Sequence, residues 1–355
     1  MSEPITVRPT QTRDRGPRTA AELDAHLAEP SEGTVAAVGR TVGDIVVLGA
    51  GGKMGPTLAQ MARAAVERAG AGSRRIIAVS RFSSPDAKRA LEGAGVETIS
   101  CDLTERTAVA ALPEAPNVIY MAGQKFGTRD APARTWINNV VVPAICGERY
   151  MSSRIVAFST GNVYPLVPVT TNGARESDVT GPVGEYAATC VGRERVFEYL
   201  AATKGTRVAI VRLNYAIDLR YGVLTDIATS LVRGAPIPLA MGHVNVIWQR
   251  DANRAALELL PLAAAPPLVV NVTGGAMLAV RDLANALASR LGVEATFDGH
   301  EASDALLSDT SRMRELLAPP EMPLETMLDW VAEWVSENRP LLGKPTHFTA
   351  RDGAF

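Results

Sequence analysis

Short apolar runs alternate along the chain with longer, helix-like segments. The runs are rich in Val and Ile, which is typical of strands buried on both faces of a parallel sheet. They occupy residues 45–48, 75–80, 96–100, 118–121, 155–159, 207–213 and 268–272. The helix-like segments between them lie at residues 57–69, 85–92, 104–111, 131–151, 184–203 and 250–265. This alternation predicts an α/β fold with a doubly wound parallel sheet.

Two short helices are predicted ahead of the first strand. Residues 19–22 form the capping-box pattern Thr-Ala-Ala-Glu, which opens a helix that ends near residue 29. A second short helix is expected at residues 31–38, and residues 1–18, rich in Pro, Thr and Arg, are expected to form a mobile arm. This preamble should pack on the outside of the sheet or against a partner subunit.

Composition narrows the class of protein. The 355 residues carry 36 Lys and Arg against 38 Asp and Glu, so charge gives no reason to expect nucleic acid or a membrane surface as a partner. No apolar run reaches the length of a membrane helix, and the N-terminus lacks the apolar core of a signal peptide. Cys101, Cys146 and Cys190 show neither a disulfide framework nor a zinc spacing, and no metal set is predicted. A cytoplasmic location is expected.

A glycine-rich turn follows the first strand. Residues 45–55 read Ile-Val-Val-Leu-Gly-Ala-Gly-Gly-Lys-Met-Gly, with Gly49, Gly52 and Gly55 three residues apart and a helix to follow. Strand, glycine turn and helix together form a dinucleotide fingerprint. The glycines permit a tight turn and let the backbone approach a pyrophosphate at the helix N-terminus. An ordinary βα turn without a ligand is the alternative.

The ends of the second and third strands bear on the choice of cofactor. An Asp or Glu at the end of the second strand would bind the ribose 2′-hydroxyl of NAD, but the chain has Ser80 and Arg81 there. A hydroxyl and a guanidinium suit a 2′-phosphate, and Lys53 could add a second positive charge, so NADP is favoured over NAD. Arg81 could equally be a solvated loop residue. Asp102 could accept from adenine or cap the next helix.

Further polar residues follow the fourth and fifth strands. The fourth ends in the small residues Ala122 and Gly123, and Lys125 is placed to reach phosphate or the nicotinamide side. The fifth ends in Ser159 and Thr160, and Tyr186 opens a later helix. This spacing places a hydroxyl group at a strand end and a tyrosine on the neighbouring helix. The proline-rich loop at residues 165–183 between them is predicted to be a lid.

A polar and aromatic stretch follows the sixth strand. Its aromatic rings could stack on a sugar, and its arginine and histidine side chains could hold a carboxylate or phosphate; structural roles in the core are the alternative. The candidate substrate residues are Arg212, Asn214, Arg220, Tyr221, His243 and Trp248.

In their order and spacing, these motifs resemble the extended short-chain dehydrogenases/reductases, the family of NAD(P)-dependent sugar-nucleotide epimerases and dehydratases. The resemblance covers roughly residues 45–334 and adds the pairs Asn138-Asn139 and Asp102-Leu103 to the motifs above. It implies a Rossmann-like NAD(P)-binding domain at residues 41–213 plus about 245–273, after an arm and short helices at residues 1–40. A smaller, discontinuous substrate lobe at residues 214–244 and 274–345 would include the family's closing helix at residues 322–335.

The resemblance also implies residue roles. The implied cofactor-binding residues are Gly49, Gly52, Lys53, Met54, Gly55, Ser80, Arg81, Asp102, Leu103, Met121, Ala122, Gly123, Lys125, Asn139 and Tyr186. The family transfers a hydride between a carbinol carbon and the nicotinamide, and Tyr186 would be its acid/base, with Thr160, or alternatively Ser159, as the hydroxyl partner. A lysine normally follows the tyrosine by four residues, but Cys190 stands there. Lys125 or Arg193 could supply the missing charge.

Two functions are therefore carried forward. The first is an NAD(P)-dependent oxidoreductase or epimerase that acts on a sugar or a sugar-derived hydroxy or keto compound; a lyase that uses the cofactor transiently has the same sequence features. The second is a non-catalytic NAD(P)-binding sensor or interaction protein, an alternative motivated by Cys190. The resemblance also implies a homodimer formed through the helices at residues 131–151 and 184–203.

Overall fold

The structure is a computed structural model of the chain and describes residues 15–344 and 346–353. Most of the arm predicted at residues 1–18 lies outside the described residues.

Seven parallel strands form the central sheet of the described chain, in the order β7-β6-β5-β4-β1-β2-β3. They are β1 (Ile45–Leu48), β2 (Ile76–Ser80), β3 (Glu97–Ser100), β4 (Asn117–Tyr120), β5 (Arg154–Thr160), β6 (Arg207–Leu213) and β7 (Leu268–Val272). The strand order reverses at β1, with β2 on one side and β4 on the other. The predicted doubly wound Rossmann-like sheet is confirmed, and ligands of such sheets bind at this reversal, beyond the carboxyl ends of the strands.

The described helices cover both faces of the sheet and also build a second core, described below. They are α1 (Ala20–Leu27), α2 (Glu32–Gly39), α3 (Gly55–Arg68), α4 (Pro85–Gly93), α5 (Arg106–Ala110), α6 (Pro132–Trp136), α7 (Val142–Arg149), α8 (Gly184–Lys204), α9 (Val223–Val232), α10 (Gln249–Leu259), α11 (Val280–Leu291), α12 (Ser311–Leu316) and α13 (Leu324–Ser336). Buried residues of α3 and α10 form the core on one face, and those of α5, α7 and α8 form the core on the other. None of the described helices is long and apolar enough to cross a membrane.

The predicted helix at residues 131–151 is interrupted. A π-helical turn at Ile137–Val141 separates α6 from α7. Pro143 lies in the first turn of α7 and has no N–H to give to the carbonyl four residues before it. A wider turn accommodates this missing bond, which is why the helix changes its winding here.

The preamble packs against the body of the protein. Thr19 and Ser31 cap α1 and α2 with their side chains. The Thr34 hydroxyl donates to the buried carboxylate of Glu258 in α10, at 3.0 Å, so α2 joins the helix layer on one face of the sheet. Leu23 of α1 belongs to a separate core formed by the later part of the chain.

This second core is formed by α9, α11 and α13, and it includes buried Trp248, Trp330 and Trp334. Four pairs of two-residue strands lie outside the central sheet: Val167–Pro168 with Asp304–Ala305, Ala216–Ile217 with Ile247–Trp248, Ile237–Pro238 with Phe297–Asp298, and His243–Val244 with Leu278–Ala279. The helix α13 stands where the sequence places the closing helix.

Residues 346–353, here called the C-terminal strap, run back across the molecule. The Thr346 hydroxyl donates to Asp226 Oδ2 of α9 at 2.6 Å. Asp352 pairs with Arg129, from the loop after β4, at 3.0 Å. A Cβ atom placed on Gly184 would lie 2.6 Å from the carbonyl oxygen of Gly353, so the strap passes directly over the start of α8.

Candidate active site

The glycine turn after β1 has two glycines that the fold requires. Gly49 has a φ of +88°, and a Cβ on it would lie 2.5 Å from the backbone nitrogen of Ala122 after β4. A Cβ on Gly55 would lie 2.4 Å from the carbonyl oxygen of Ala50. The end of β1 therefore lies against the end of β4, and the first residue of α3 lies against the turn. Neither position leaves room for a side chain.

A third glycine leaves open space. Gly52 is exposed, and the nearest heavy atom to a Cβ placed on it would be the Gly49 carbonyl oxygen at 3.5 Å. Met54, the residue before α3, has no side-chain oxygen to cap the helix. The N–H groups at the start of α3 therefore face an open cradle, which fits the pyrophosphate of a dinucleotide.

The end of β2 borders the same cradle. A Cβ on Gly51 would lie 2.5 Å from Ser80 Oγ, so the serine hydroxyl adjoins the turn. Arg81 is exposed and close enough to Asp102 for its charge to act on that carboxylate. Asp102 accepts from Thr104 N at 3.0 Å and from Thr104 Oγ1 at 2.8 Å, and these bonds, with the Arg81 charge, lower its pKa. These bonds close a turn after β3, and the N-cap residue of α5 is Glu105, so the predicted helix cap is wrong. The contact of Asp102 with adenine stays a prediction.

We expect Arg81→Ala to weaken NADP binding about tenfold, because a charge-assisted hydrogen bond contributes roughly 1.5–3 kcal/mol. The affinity for NAD, which lacks the 2′-phosphate, should change less than twofold by the same reasoning. Calorimetric titration of both dinucleotides measures the difference. Arg89→Ala, which removes an exposed arginine of α4, is the control. An equal loss for both cofactors would contradict the assignment.

Lys53 points elsewhere than the sequence predicts. Its Nζ donates to the Ala216 carbonyl oxygen at 3.2 Å and lies 3.8 Å from Asp218 Oδ2. It also stands 4.6 Å from the ring centroid of Tyr221. Burial lowers the pKa of Lys53 to about 8, although Asp218 acts in the opposite direction. The expected second charge beside a 2′-phosphate is therefore wrong: Lys53 faces residues 216–221, which lead from β6 into α9.

Asn139 is a buried bridge. Its Oδ1 accepts from Gln124 N at 2.7 Å and from Arg193 Nη2 at 2.9 Å. Its Nδ2 donates to the Gln124 carbonyl oxygen and to Thr189 Oγ1, both at 2.9 Å. These four bonds use the full capacity of the amide. Asn139 thus positions the loop after β4, and its side chain has no bond left for a cofactor.

The remaining implied cofactor residues are largely packed. Met54 and Leu103 are buried in the cores on opposite faces of the sheet. Met121 and Ala122 pack against those cores, whereas Gly123 is exposed. Any contact of these residues with a dinucleotide stays a prediction and would fall mainly to their backbone atoms.

Tyr186 lies in the first turn of α8, beside the end of β5. Its hydroxyl forms hydrogen bonds with the side chains of Thr160 and Cys190. Thr160 Oγ1 already accepts from Asn162 N at 3.2 Å and from Asn162 Nδ2 at 3.0 Å. Because both acceptor sites of the threonine are used, its proton is directed to the Tyr186 oxygen. The structure thus brings together the tyrosine and the strand-end hydroxyl group that the sequence predicts, Tyr186 and Thr160.

Ser159 is used differently. Its Oγ donates to Glu194 Oε1 at 2.5 Å, and Glu194 forms a buried ion pair with Arg212 at 2.7 Å. Arg212 Nη1 also donates to Tyr164 Oη at 2.7 Å. This closed network removes Ser159 as the partner of Tyr186. It also contradicts a substrate contact for Arg212, since breaking a buried ion pair would leave a charge uncompensated.

Cys190 stands where the resemblance expects a lysine. The thiol is fully buried, and burial raises its pKa, so it stays neutral. The charge of Arg193 lowers the pKa of Tyr186, although burial raises that pKa by more. The Arg193 guanidinium donates to the Phe158 carbonyl oxygen at 2.8 Å and adjoins Gly123. Arg193 is thus a cation that acts on Tyr186, and the charge of Lys125 acts on its neighbour Cys190.

Three further substrate candidates are structural. Asn214 is buried and donates to the Leu306 carbonyl oxygen at 3.2 Å. Arg220 is bonded to Asp24 Oδ1 at 2.7 Å, which joins the second core to α1. Trp248 is 1% exposed and packs edge-to-face on Trp330. These contacts contradict substrate roles for all three. Sequence alone could not separate the possibilities, because each partner lies far away along the chain.

The last two substrate candidates, Tyr221 and His243, keep their predicted roles as predictions. The ring of Tyr221 lies beneath Lys53 of the glycine turn, and its contact with a substrate stays a prediction. His243 belongs to a short strand paired with Ala279, and its Nδ1 is buried with no hydrogen-bond partner among the residues described. Its role stays a prediction.

The loop at residues 165–183 is anchored to the body of the protein. Ala174 N donates to the Leu307 carbonyl oxygen, and Asp309 N donates to the Ala174 carbonyl oxygen, both at 2.9 Å. Asn271 N of β7 donates to Glu176 Oε1 at 2.7 Å. The middle of the predicted lid is therefore bonded to β7 and to residues 307–309.

The sequence analysis did not identify two polar residues that interact with the loop after β4, Asp226 and His347. Asp226 of α9 is buried, which raises its pKa, while the charges of His347 and Lys125 act to lower it. His347 of the strap has a ring centroid 6.2 Å from that of Phe126, next to Lys125. The sequence feature that could have indicated His347 is the group of polar residues after the last helix, Lys, Thr, His, Arg and Asp within residues 344–352.

Comparison with known proteins adds to this geometry. The sequence model of the NAD dependent epimerase/dehydratase family matches residues 45–217. No curated protein matches the chain by sequence.

Solved structures of sugar-nucleotide enzymes are similar in fold. The UDP-glucose 4-epimerase of Thermotoga maritima, with UDP-glucose, is 18% identical and has a TM-score of 0.68, over 83% of this chain and 99% of that chain. The UDP-Glc/GlcNAc 4-epimerase of Campylobacter jejuni is 20% identical, with a TM-score of 0.68 over 84% and 100% of the two chains. The dTDP-glucose 4,6-dehydratase DesIV of Streptomyces venezuelae, with NAD and TYD bound, is 18% identical, with a TM-score of 0.70 over 83% and 97%.

Proposed function

Since the chain belongs, through residues 45–217, to the NAD dependent epimerase/dehydratase family, we propose that it is an NAD(P)-dependent oxidoreductase or epimerase. Its substrate is a sugar or a sugar-derived hydroxy or keto compound. The observation that carries this proposal is the Tyr186–Thr160 hydrogen bond beside the carboxyl ends of the strands, next to an open glycine cradle.

The residues of the cradle fit a nicotinamide dinucleotide. The N-terminus of α3 would hold its pyrophosphate, for which exposed Gly51 and Gly52 leave room, and Ser80 and Arg81 would hold its adenosine end. When bound, the nicotinamide supplies a hydride acceptor or donor. Every other part of the reaction falls to side chains of this chain.

Tyr186 would manage the proton. An ordinary tyrosine is ionised in only about one molecule in a thousand near pH 7. Burial raises the pKa of Tyr186 further, and the Arg193 charge only partly opposes this. The neutral phenol is thus the resting form, with the Thr160 hydroxyl donating to its oxygen. At neutral pH this arrangement favours giving a proton to a carbonyl oxygen, and alkaline pH favours taking one from a hydroxyl group.

The test is isotope transfer. Candidate sugars deuterated at each carbinol carbon are incubated with the protein and NADP or NAD, and deuterium is sought on the nicotinamide and on the products. Net cofactor reduction would indicate a dehydrogenase, whereas inverted or dehydrated products with cofactor recycled would indicate an epimerase or dehydratase. Tight cofactor binding without transfer to or from any sugar would favour the non-catalytic sensor.

We expect Arg193→Met to move the acid limb of the oxidation rate to higher pH by about one unit, because removal of a nearby cation raises the pKa of Tyr186. Arg193→Lys should restore most of the shift. Initial rates across pH measure it, with Arg195→Met, at an exposed position of α8, as the control. A uniform loss of rate with the limb unmoved would mean that Arg193 only holds Phe158 and Asn139 in place.

A further inference from the structure

We propose that residues 349–353, the end of the C-terminal strap, are an autoinhibitory gate that covers the site beside Tyr186 and must open before a substrate can enter there. The proposal rests on the proposed function, because it takes the Tyr186 hydroxyl as the group that a substrate must reach. The closed gate and a bound substrate would exclude one another. The fraction of molecules with an open gate would then set the apparent affinity for the substrate.

A small cavity lies under the gate. Asn162, Tyr164 and Met241 line it from the body of the protein, and Ala350 and Arg351 line it from the gate. Its volume is about 30 Å³, which is enough for a water molecule but far below the roughly 300–1,000 Å³ of ligand pockets. With the gate closed, this space does not admit a sugar.

Two sets of contacts place the cavity and the gate next to Tyr186. Asn162 Nδ2 donates to Thr160 Oγ1 at 3.0 Å, and Thr160 is hydrogen-bonded to Tyr186. The gate also reaches the backbone two residues before Tyr186, because a Cβ atom on Gly184 would lie 2.6 Å from the Gly353 carbonyl oxygen. A substrate that approached the Tyr186 hydroxyl from this side would therefore have to displace the gate.

The strap ahead of the gate is fixed to the second core. Phe348 is buried in that core, and Tyr215 Oη donates to its carbonyl oxygen at 3.4 Å. Thr346 donates to Asp226 Oδ2 through its backbone nitrogen at 2.9 Å and through its hydroxyl at 2.6 Å. Opening would therefore be confined to the residues after Phe348 and would leave the second core intact.

Polar contacts close to the surface hold the gate closed. Arg351 Nη1 donates to the carbonyl oxygens of Ala240 and Asp304, both at 3.0 Å, and the guanidinium also pairs with the Asp304 carboxylate. Asp352 pairs with Arg129 at 3.0 Å, but both side chains are mostly exposed, and such pairs contribute little. Removal of the Arg351 side chain should therefore shift the gate toward its open position.

Close packing at residue 353 offers an independent way to open the gate. Gly353 has a φ of +70°, a conformation that favours glycine. A Cβ atom placed on it would also overlap the carbonyl oxygen of Val183, just before α8. The closed position thus requires a glycine at residue 353, and Gly353→Val should hold the gate open.

The test is the rate at which hydrogen peroxide oxidises Met241, measured by mass spectrometry of its peptide. Met241 is buried and lines the cavity under the gate. In the full chain it should react more slowly than exposed Met277 but faster than Met61, which is buried in the sheet core, because the gate opens transiently. Arg351→Ala and Gly353→Val should each raise the Met241 rate about tenfold.

Control variants separate opening of the gate from general loosening. Arg351→Lys keeps a charge beside Asp304 and should give an intermediate rate. Arg106→Ala, which removes an exposed arginine of α5, should leave the Met241 rate unchanged. Met327 reports on the second core, in which it is buried. A variant that also speeds the oxidation of Met327 has lost its fold and is replaced by Arg351→Lys.

The effect on binding is measured with the sugar identified by isotope transfer. If opening limits binding, Arg351→Ala should lower KM by the same factor by which it raises the Met241 oxidation rate. The turnover number and the affinity for NADP should stay within about twofold. If no candidate sugar shows isotope transfer, the proposed function fails, while Met241 oxidation still decides whether residues 349–353 open.

Three outcomes would overturn the proposal. Equal Met241 rates in the full chain and in both opening variants would show that the gate does not cover the cavity. A Met241 rate in the full chain no higher than that of Met61 would show that these residues are a permanent part of the fold. A higher KM in Arg351→Ala would show that the strap helps to bind the substrate instead of excluding it.

Discussion

Tyr186→Phe is expected to lower the turnover number by about 10²- to 10⁴-fold, the usual contribution of a positioned acid/base. The substitution removes only the oxygen that accepts the Thr160 proton, so the ring keeps its packing near Val163 and Tyr164. The affinity for NADP or NAD should therefore be almost unchanged. Steady-state rates with the sugar identified by isotope transfer, together with cofactor titration, measure the two quantities separately.

Tyr199→Phe is the matched control for this variant. Tyr199 lies on the same helix but is 64% exposed. Removing its hydroxyl group should leave the turnover number unchanged. If Tyr186→Phe kept a turnover number within about twofold of the unmodified protein, Tyr186 would not be the acid/base, because loss of that group costs about 10²-fold or more. This result would point instead to a different proton carrier.

Gly52→Val is expected to weaken dinucleotide binding by on the order of 100-fold or more, about 2.7 kcal/mol. A Cβ at residue 52 meets only the Gly49 carbonyl oxygen, at 3.5 Å, so the turn itself is not strained. The added side chain would instead occupy the space in which the pyrophosphate approaches the N-terminus of α3. Fluorescence or calorimetric titration with NADP and NAD measures the loss, and Gly52→Ala should be intermediate.

Gly93→Ala serves as the control for the glycine variant. It lies at the end of α4, where a Cβ would meet no atom within 4 Å, and should leave both binding and the melting temperature nearly unchanged. If Gly52→Val bound NADP or NAD with normal affinity, the cradle would not be the dinucleotide site, and the proposed function would lose its support.

The sheet could be predicted from sequence because its signals are local. A strand buried on both faces is a continuous apolar run, as at Ile45–Leu48, and the glycine turn is specified by steric contacts such as that of Gly49 with Ala122. The pairing of Tyr186 with Thr160 followed from the same pattern, since both come at element ends that border one edge of the sheet.

The roles of the candidate substrate residues could not be predicted, because they depend on contacts with residues that lie elsewhere in the sequence. The sequence left Arg212 as a candidate substrate residue, and the structure pairs it with Glu194 of α8. Trp248 could have stacked on a sugar, but it packs on Trp330 in the second core. Nothing near residue 53 in sequence indicates that Lys53 turns toward Tyr221. The strap was missed for the same reason, because its bonds to Asp226 and Arg129 join segments more than a hundred residues apart.

The anchored loop at residues 165–183 has a thermodynamic consequence for recognition. Its backbone is already bonded to residues 307–309 and its Glu176 to β7, so an arriving ligand does not have to order it. Association should then be free of the entropic penalty and of the large negative heat-capacity change that accompany coupled folding. The ligand would bind to a preformed surface, and the contacts it makes there would set its residence time.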